Sequence, residues 1–495
     1  MARAVYSARS LRALEQRAQS ELGIAGYTLM QRAAEACHCH VEAMLAGRAL
    51  RDVHLLCGSG NNGGDGYQLA ALLQAHGRAP RVWTLGGPPR SGDAVQAHAA
   101  WRGAGGREQP WRPDALDAVD HRDLIVDALF GLGLSRPLDG EAAAAVRAIN
   151  AAAGRGAPVL AVDLPSGLDA DTGAALGPAV RATRTLTFIG HKTGLHLGAG
   201  PELAGELRLH MLGLPADFLA SEPAAFLRLR ADDLRVGLLP RAREAHKGHH
   251  GHVLVVGGEA GMAGAALLAT RAALRGGAGW VSLATHGAHA AALVAAQPEA
   301  MVSAVADGAQ LAPRLALASV VALGPGLGQG DWGRDMYQTV LASGRPLVLD
   351  ADALNLLAAA PQPLPPGTVL TPHPGEAARL LGRSTAEVQR DRLGAVLALR
   401  QRYGAVVVLK GAGSLIAAEQ VHYCPYGNPG MAVGGMGDVL TGLIAALMAQ
   451  GLAPGAAARL GVLAHALAGD AAAAGGERGL LPSDLLAELR RVLNP

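Results

Sequence analysis

The chain is 495 residues long and half hydrophobic, yet only 3% aromatic, with 43 basic against 41 acidic side chains. At about 150 residues per domain this length implies two or three domains with aliphatic cores. The near-neutral charge, without a basic run, excludes nucleic acid or an anionic membrane as the main partner. The cysteines Cys37, Cys39, Cys57 and Cys424 fit no disulfide framework, so a cytoplasmic location is expected. Met1 to Gln19 lack the apolar core of a signal peptide. No charge-free run of about 18 residues, uninterrupted by Gly and Pro, reads as a membrane span.

Residues 10–47 read as two helices with an apolar stripe at Leu29, Met30, Ala33 and Ala34. The Cys37-His-Cys-His40 run inside them invites a zinc reading. Neighbours on a helix point about 100° apart, however, and cannot close one tetrahedral site. Val53–Cys57 is a buried-type strand running into Gly58-Ser-Gly-Asn-Asn-Gly-Gly-Asp-Gly66, with a helix predicted from Tyr67 to His76. Strand, glycine loop and helix make a phosphate- or nucleotide-binding arrangement. Gly58, Gly60 and Gly63 match the dinucleotide pattern. The second strand, Arg81–Leu85, ends in Gly86-Gly87 without the acid that an ordinary NAD site needs. Asn61-Asn-Gly-Gly-Asp65 is the denser signal, with two amides and a carboxylate in one loop.

Strands follow at Leu124–Phe130, carrying Asp127, and at Val159–Asp163, with a helix at Ala142–Ala153 between them. Ser166 and Asp169 follow the second strand. Alternating strands and helices predict a doubly wound parallel sheet that binds ligands at its carboxyl ends. Asp127, Asp163 and Ser166 would converge there with Asn61–Asp65, as hard oxygen donors for Na⁺, K⁺ or Mg²⁺ or as plain turn caps. Thr185–Ile189 and Leu207–Met211 close the sheet. Gly213–Pro223 breaks the rhythm, giving domains over 1–215 and 226–495.

The second half opens with His246-Lys-Gly-His-His-Gly-His252, read as a loop of solvated histidines in preference to a metal site. Val253–Gly258 is a strand into a glycine loop, and Gly261–Ala265 opens a long Ala/Leu helix. Strands at 280–284, 320–323, 346–350, 369–371 and 406–410 end in Gly324–Gly328, Asp350-Ala-Asp352, Thr371-Pro-His-Pro-Gly-Glu376 and Lys410-Gly-Ala-Gly-Ser414. Lys410 with Gly411 and Gly413 suits a nucleotide's phosphates, although no P-loop pattern is present. Asn428–Gly442 is a glycine-rich turn entering a helix near Asp438, whose first N–H groups would face an anion. Leu485–Leu493 is a closing helix.

Together these motifs resemble the bifunctional NAD(P)H-hydrate repair enzymes over nearly the whole chain. The resemblance rests on Asn61–Gly66, Asp127–Pro137, Asp163–Asp169, Lys247–Gly251, Gly261–Ala265, Thr371–Glu376, Lys410–Gly413 and Asn428–Gly442. It implies an α/β chain with an N-terminal three-layer αβα, Rossmann-like epimerase domain. A C-terminal ribokinase-like α/β domain would be an ADP-dependent dehydratase. The first interconverts the R and S epimers of hydrated NADH and NADPH. The second uses ADP to drive water out of the S form, giving NAD(P)H, AMP and phosphate.

In the epimerase domain the resemblance assigns substrate contacts to Asn61, Asn62, Gly63, Gly64, Asp65, Gly131, Leu132, Gly133, Leu134, Ser135, Arg136, Pro137 and Asp163. It assigns K⁺ to Asn62, Asp127 and Ser166; Asp163 is the candidate acid/base, with ring opening and reclosure an equally open route. In the dehydratase domain Ala265, Gly326, His373 and Asp438 hold the hydrate, and Asp438 is the catalytic base. Lys410, Gly411, Ala412, Gly413, Ser414 and Gly437 hold the nucleotide, which Mg²⁺ accompanies. The partners are the small molecules NADHX, NADPHX and ADP, with a homo-oligomer expected. Two positions depart from the family pattern: Leu132 and Val433 stand where threonine is expected. Two other readings stay open on the residues alone: a kinase of a small hydroxylated metabolite, and a first domain kept only as a binding module.

Overall fold

Val53–Cys57 is buried at every position, as a strand covered by helices on both faces must be. It anchors the first of two units, Met1–Phe226 and Leu227–Pro495, in the computed structural model, which describes residues 3–46 and 51–494. The first unit's strands are β1 (Ala4–Tyr6), β2 (Val53–Cys57), β3 (Arg81–Thr84), β4 (Glu108–Pro110), β5 (Leu124–Ala128), β6 (Val159–Val162), β7 (Arg184–Phe188), β8 (His191–Lys192) and β9 (Glu206–His210). Seven of them form an all-parallel sheet in the order β4-β3-β2-β5-β6-β7-β9. The order reverses direction between β2 and β5. Doubly wound sheets bind their ligands at the carboxyl ends of the strands at such a reversal.

The strands added in the second unit are β10 (Phe226–Arg228), β11 (His252–Val256), β12 (Trp280–Thr285), β13 (Met301–Ala304), β14 (Val320–Leu323), β15 (Leu347–Leu349), β16 (Val369–Leu370), β17 (Val406–Leu409), β18 (Ser414–Ala417) and β19 (Val421–Cys424). Their order is β13-β12-β11-β14-β15-β16-β17-β18-β19-β10, with the reversal between β11 and β14. The sheet is parallel from β13 to β17 and antiparallel through β18 and β19. With few aromatics, its core is made by close backbone approach. A Cβ on Gly442 would lie 2.0 Å from the Ala269 carbonyl oxygen, so this glycine lets helices Ala263–Arg275 and Met436–Ala449 touch.

Both parallel sheets stand where the alternation predicts them. The sequence reading lacks β1, β4, β8, β10, β13, β18 and β19. Residues 301–304 carry no buried run, and β18 and β19 span only four residues each. The two N-terminal helices are Ala8–Leu22 and Gly26–Leu45; the expected end at residue 47 lies outside the described residues. Among the described residues no helix is long and apolar enough to cross a membrane.

Candidate active sites

The first unit holds a cavity of about 610 Å³ at the β2/β5 reversal. Asn61, Asn62 and Asp65 line it from the end of β2, Gly131 to Leu134 from the end of β5, and Asp163 from the end of β6. The Asn61–Asp65 stretch, expected as a loop, is the first turn of the helix Asn61–Ala75. Two glycines allow it: a Cβ on Gly63 would lie 1.8 Å from the Gly58 carbonyl oxygen, and one on Gly64 would lie 2.6 Å from the Met30 methyl. Both are buried beneath the cavity, whereas Ser135, Arg136 and Pro137 are exposed beyond its wall.

Asp127 is fully buried. Its Oδ1 accepts from Ser166 Oγ at 2.6 Å, and its Oδ2 from the Ser166 backbone N–H at 2.8 Å. Burial outweighs those bonds and pushes its carboxyl up to about 6. The Asn62 carboxamide is also buried, and neither its Oδ1 nor its Nδ2 has a partner among the described residues. An orphaned buried amide is unfavourable unless something fills the gap. A monovalent cation fits this donor set of hard oxygens.

Asp163 adopts φ 65, a left-handed conformation uncommon for non-glycine residues but better tolerated by Asp than by most. Its Oδ1 accepts from the Phe188 N–H at 3.0 Å and Thr187 Oγ1 at 3.3 Å, and it pairs with the buried Lys192 ammonium. Lys192 also donates to Thr187 Oγ1 at 2.8 Å and the Phe188 carbonyl at 2.9 Å. Sequence reasoning missed Lys192, which follows β7 outside every motif. It also missed Arg12 and Glu15, which reach the cavity from the helix Ala8–Leu22.

In the second unit the carboxyl ends of β14 to β17 meet the first turn of Met436–Ala449. Gly435, at φ 97, caps that helix, so its free N–H groups begin two residues before Asp438. Lys410 Nζ, at the end of β17, lies 2.6 Å from Asp350 Oδ1 at the end of β15, and Thr441 Oγ1 donates to Asp350 Oδ2 at 2.8 Å. A Cβ on Gly437 would stand 3.0 Å from Lys410 Nζ, so the bare glycine keeps the ammonium approachable. Burial and the Asp350 charge push Asp438 up to about 7, against the pull of Lys410.

His373 caps the helix Pro374–Leu381: its Nδ1 accepts from the Gly375 N–H at 3.0 Å, and Glu376 Oε2 accepts from the His373 N–H at 2.8 Å. Burial pushes Glu376 up to about 7 and, with the Lys410 charge, pushes His373 down. Ala265 and Gly326 sit together, since a Cβ on Gly326 would lie 3.3 Å from the Ala265 methyl. The Lys410–Gly413 loop bends at Gly411 and Gly413, at φ 138 and 69. Ser414 opens β18. The buried Arg392 holds this loop, donating to the carbonyls of Lys410 at 3.3 Å and Gly413 at 3.2 Å. No sequence motif marks Arg392, and Thr441 stands in the Asn428–Gly442 motif without a role of its own. Asp350 was visible only as a strand-end acid.

Neither histidine-rich stretch gathers metal donors among the described residues. Cys37 is buried and Cys39 exposed on one helix. His246 and His249 stack at 3.7 Å on an exposed turn. Asp52, His54 and Asp123 do cluster, at the amino ends of β2 and β5, away from the cavity. Arg81 lies 2.9 Å from Asp52 and Arg51 2.7 Å from Asp123, so the group is an ion-pair network.

A family model described as NAD(P)H-hydrate dehydratase matches residues 253–491, and one described as YjeF-related protein N-terminus matches residues 26–194. A bifunctional NAD(P)H-hydrate repair enzyme of Coxiella burnetii is 45% identical, covering 99% of both chains. The one of Escherichia coli is 43% identical over 99% of this chain and 94% of its own. Among solved structures, a ribokinase-like superfamily protein from Enterococcus faecalis is 29% identical with a TM-score of 0.52. The match covers 55% of this chain and 96% of that one.

Proposed function

The chain belongs to the family of bifunctional NAD(P)H-hydrate repair enzymes, and from that premise we propose which of its residues carry each reaction. It is an epimerase of hydrated NADH and NADPH joined to an ADP-dependent dehydratase.

Hydroxide is a poor leaving group and phosphate a good one. Asp438 takes the proton of the hydrate's C6 hydroxyl as that oxygen attacks the terminal phosphoryl group of ADP. The N–H groups at Gly435 and Gly437 bind the phosphoryl oxygens, and Lys410 meets the nucleotide's charge. The ring-nitrogen lone pair then expels phosphate and the double bond returns. The observation that carries this reading is the place of Asp438 on the first turn of a helix against Lys410, where burial pushes its carboxyl up to about 7. A base poised near the working pH is what the step needs.

Lys410–Ser414 cradle the nucleotide, and Ala265, Gly326 and His373 hold the hydrate. Mg²⁺ would accompany the nucleotide and supply charge neutralisation. Asp350 is committed to Lys410 and Thr441, while Glu376 and Asp438 are carboxyls whose charges act on Lys410. Both are pushed up by burial, as in a site short of positive charge.

In the first unit the cavity-lining loops take the hydrated nicotinamide, and Asp163 is the acid/base. Asn62, Asp127 and Ser166 would hold K⁺, which supplies the positive charge that buried Asp127 lacks. The four unpaired cysteines support a cytoplasmic location.

The test is to give the full chain both NADPH hydrates with Mg²⁺ and ADP and follow the reduced-nicotinamide absorbance. Complete conversion of both epimers is expected. Conversion that halts once the S form is spent would remove the epimerase assignment, and no conversion would remove the dehydratase assignment.

A further inference from the structure

Inversion at C6 needs two faces served. If the hydroxyl leaves from one face of the ring, water must add to the other. One fixed carboxylate reaches one face. Asp163 is fixed: its Oδ1 is held by Phe188, Thr187 and Lys192, leaving Oδ2 to act.

The cavity has a second acid on a different wall. Helix Ala8–Leu22 buries Leu11, Leu14 and Ala18 and turns Arg12, Glu15, Gln16 and Gln19 toward the cavity, residues spaced to share one helical face. Arg12 donates to the Leu132 carbonyl, which ties this helix to the loop after β5. Glu15 senses the charges of Arg12, Asp163 and Lys192, and Asp65 senses Glu15, Asp163 and Lys192. Glu15, Asp65 and Asp163 therefore line one cavity, with Asp93 at its wall, and the buried Lys192 pairs with Asp163. Glu15 lies before residue 26, where the family model begins.

We propose that Glu15 is the second catalytic acid/base of the epimerase cavity, working on the face of the hydrated nicotinamide opposite Asp163. This rests on the epimerase reading of the first unit. Glu15 gives its proton to the C6 hydroxyl as the C6–O bond breaks, and the ring-nitrogen lone pair forms a C=N⁺ bond. Water then adds to the other face. Its proton passes to Asp163 as the new C6–O bond forms and the lone pair returns to nitrogen. The proton returns from Asp163 to Glu15 by exchange with water in the cavity, and the reverse epimerisation exchanges the two roles. Burial and the Asp163 charge push Glu15 up, which suits a group that begins as the acid.

The experiment follows epimer exchange by proton NMR in the full chain without nucleotide, with hydrate affinity measured by calorimetry. Glu15→Gln keeps the shape and removes the titrating proton. Exchange about 100-fold slower is expected, with a hydrate Kd within threefold of the parent's. Glu15→Asp is expected to recover about a tenth of the parent rate. Exchange in Glu15→Gln within fivefold of the parent overturns the proposal. So does a Kd that weakens in proportion to the lost rate, since Glu15 would then only bind. Absence of exchange in the unmodified chain, above the spontaneous rate, overturns the epimerase reading itself.

Discussion

Lys410 Nζ lies 2.6 Å from Asp350 Oδ1, and Lys410 also stands 3.9 Å from Glu376 Oε2. This pair joins the ends of two strands and fixes an ammonium beside the proposed phosphate site. Asp350→Ala leaves that ammonium buried without its main counter-charge. A loss of about 3–5 kcal/mol is expected in urea unfolding of the second unit. Lys410→Met combined with Asp350→Ala should lose less than Asp350→Ala alone, because no orphaned charge remains. Additive losses in this double-mutant cycle would show that the pair is not coupled.

Asp438 makes opposite predictions for activity and stability. As a base with a carboxyl near 7, it is competent only above that pH. Dehydratase kcat/KM should therefore fall as pH drops through about 7. Asp438→Asn should lose about 10²–10⁴-fold in dehydration while epimer exchange stays within twofold. For stability, the folded carboxyl is raised from 3.8 to about 7. The fold favours the neutral form, so this contribution is complete below about 4 and lost as pH rises through 7. At pH 8 Asp438→Asn should therefore unfold on the order of 1–2 kcal/mol later than the parent. A variant less stable at pH 8 would contradict the burial argument.

Much of this was legible because doubly wound sheets put their chemistry at strand ends. Asn61–Asp65, Asp127, Asp163, Lys410 and Asp438 all sit beside glycines or turn residues directly after a predicted strand or opening a helix, where sequence patterns are sharp. What was not legible are the residues that reach these loops from elsewhere. Arg392 is an arginine in an ordinary amphipathic helix until Lys410–Gly413 folds over it. Thr441 is one small residue in an apolar helix until Asp350 arrives across the sheet. Glu15 shares its face with Arg12 and Gln19 and reads as solvated surface. Such long-range contacts leave no periodicity. The Asn61–Asp65 helical turn was misread as a loop because glycine is a poor helix former. Close approach to Gly58 and Met30 overrides that preference.

Two glycines on one helix separate site from scaffold. Gly437→Ala places a methyl 3.0 Å from Lys410 Nζ and 3.3 Å from Asp350 Oδ2, contacts that a flexible ammonium can relieve. The fold should hold within about 1 kcal/mol, while the KM for ADP rises about tenfold or more. Gly442→Ala puts its methyl 2.0 Å from the Ala269 carbonyl oxygen, where only a helix shift gives relief. A loss of about 1–3 kcal/mol is expected. Thermal unfolding and ADP titration of both variants check the contrast. Equal stability in the two would refute it.

The orphaned Asn62 amide and the buried Asp127 carboxyl predict ion-dependent stability. Replacing Na⁺ by K⁺ at constant ionic strength should raise the melting temperature of the first unit. Asp127→Asn should abolish that difference, because the neutral amide removes the charge that attracts the cation. A K⁺ effect of unchanged size in Asp127→Asn would place the ion elsewhere.

Arg392 gives the last prediction. Its guanidinium is buried and donates to the carbonyls of Leu409, Lys410 and Gly413 and to Gln389. A Cβ on Gly411 would lie 2.8 Å from it. The loop proposed to bind the nucleotide is therefore shaped around this side chain, although Arg392 itself points at backbone. Arg392→Lys keeps a charge but loses the planar fork that serves several carbonyls at once. It should destabilise the second unit by about 1–3 kcal/mol, the penalty of leaving buried acceptors unsatisfied. It should also raise the KM for ADP more than it lowers kcat, since Asp438 and the Met436–Ala449 helix are untouched. Steady-state kinetics on the S hydrate separates the two parameters. A fall in kcat at unchanged KM would mean that Arg392 acts on the chemical step and not through the shape of the loop.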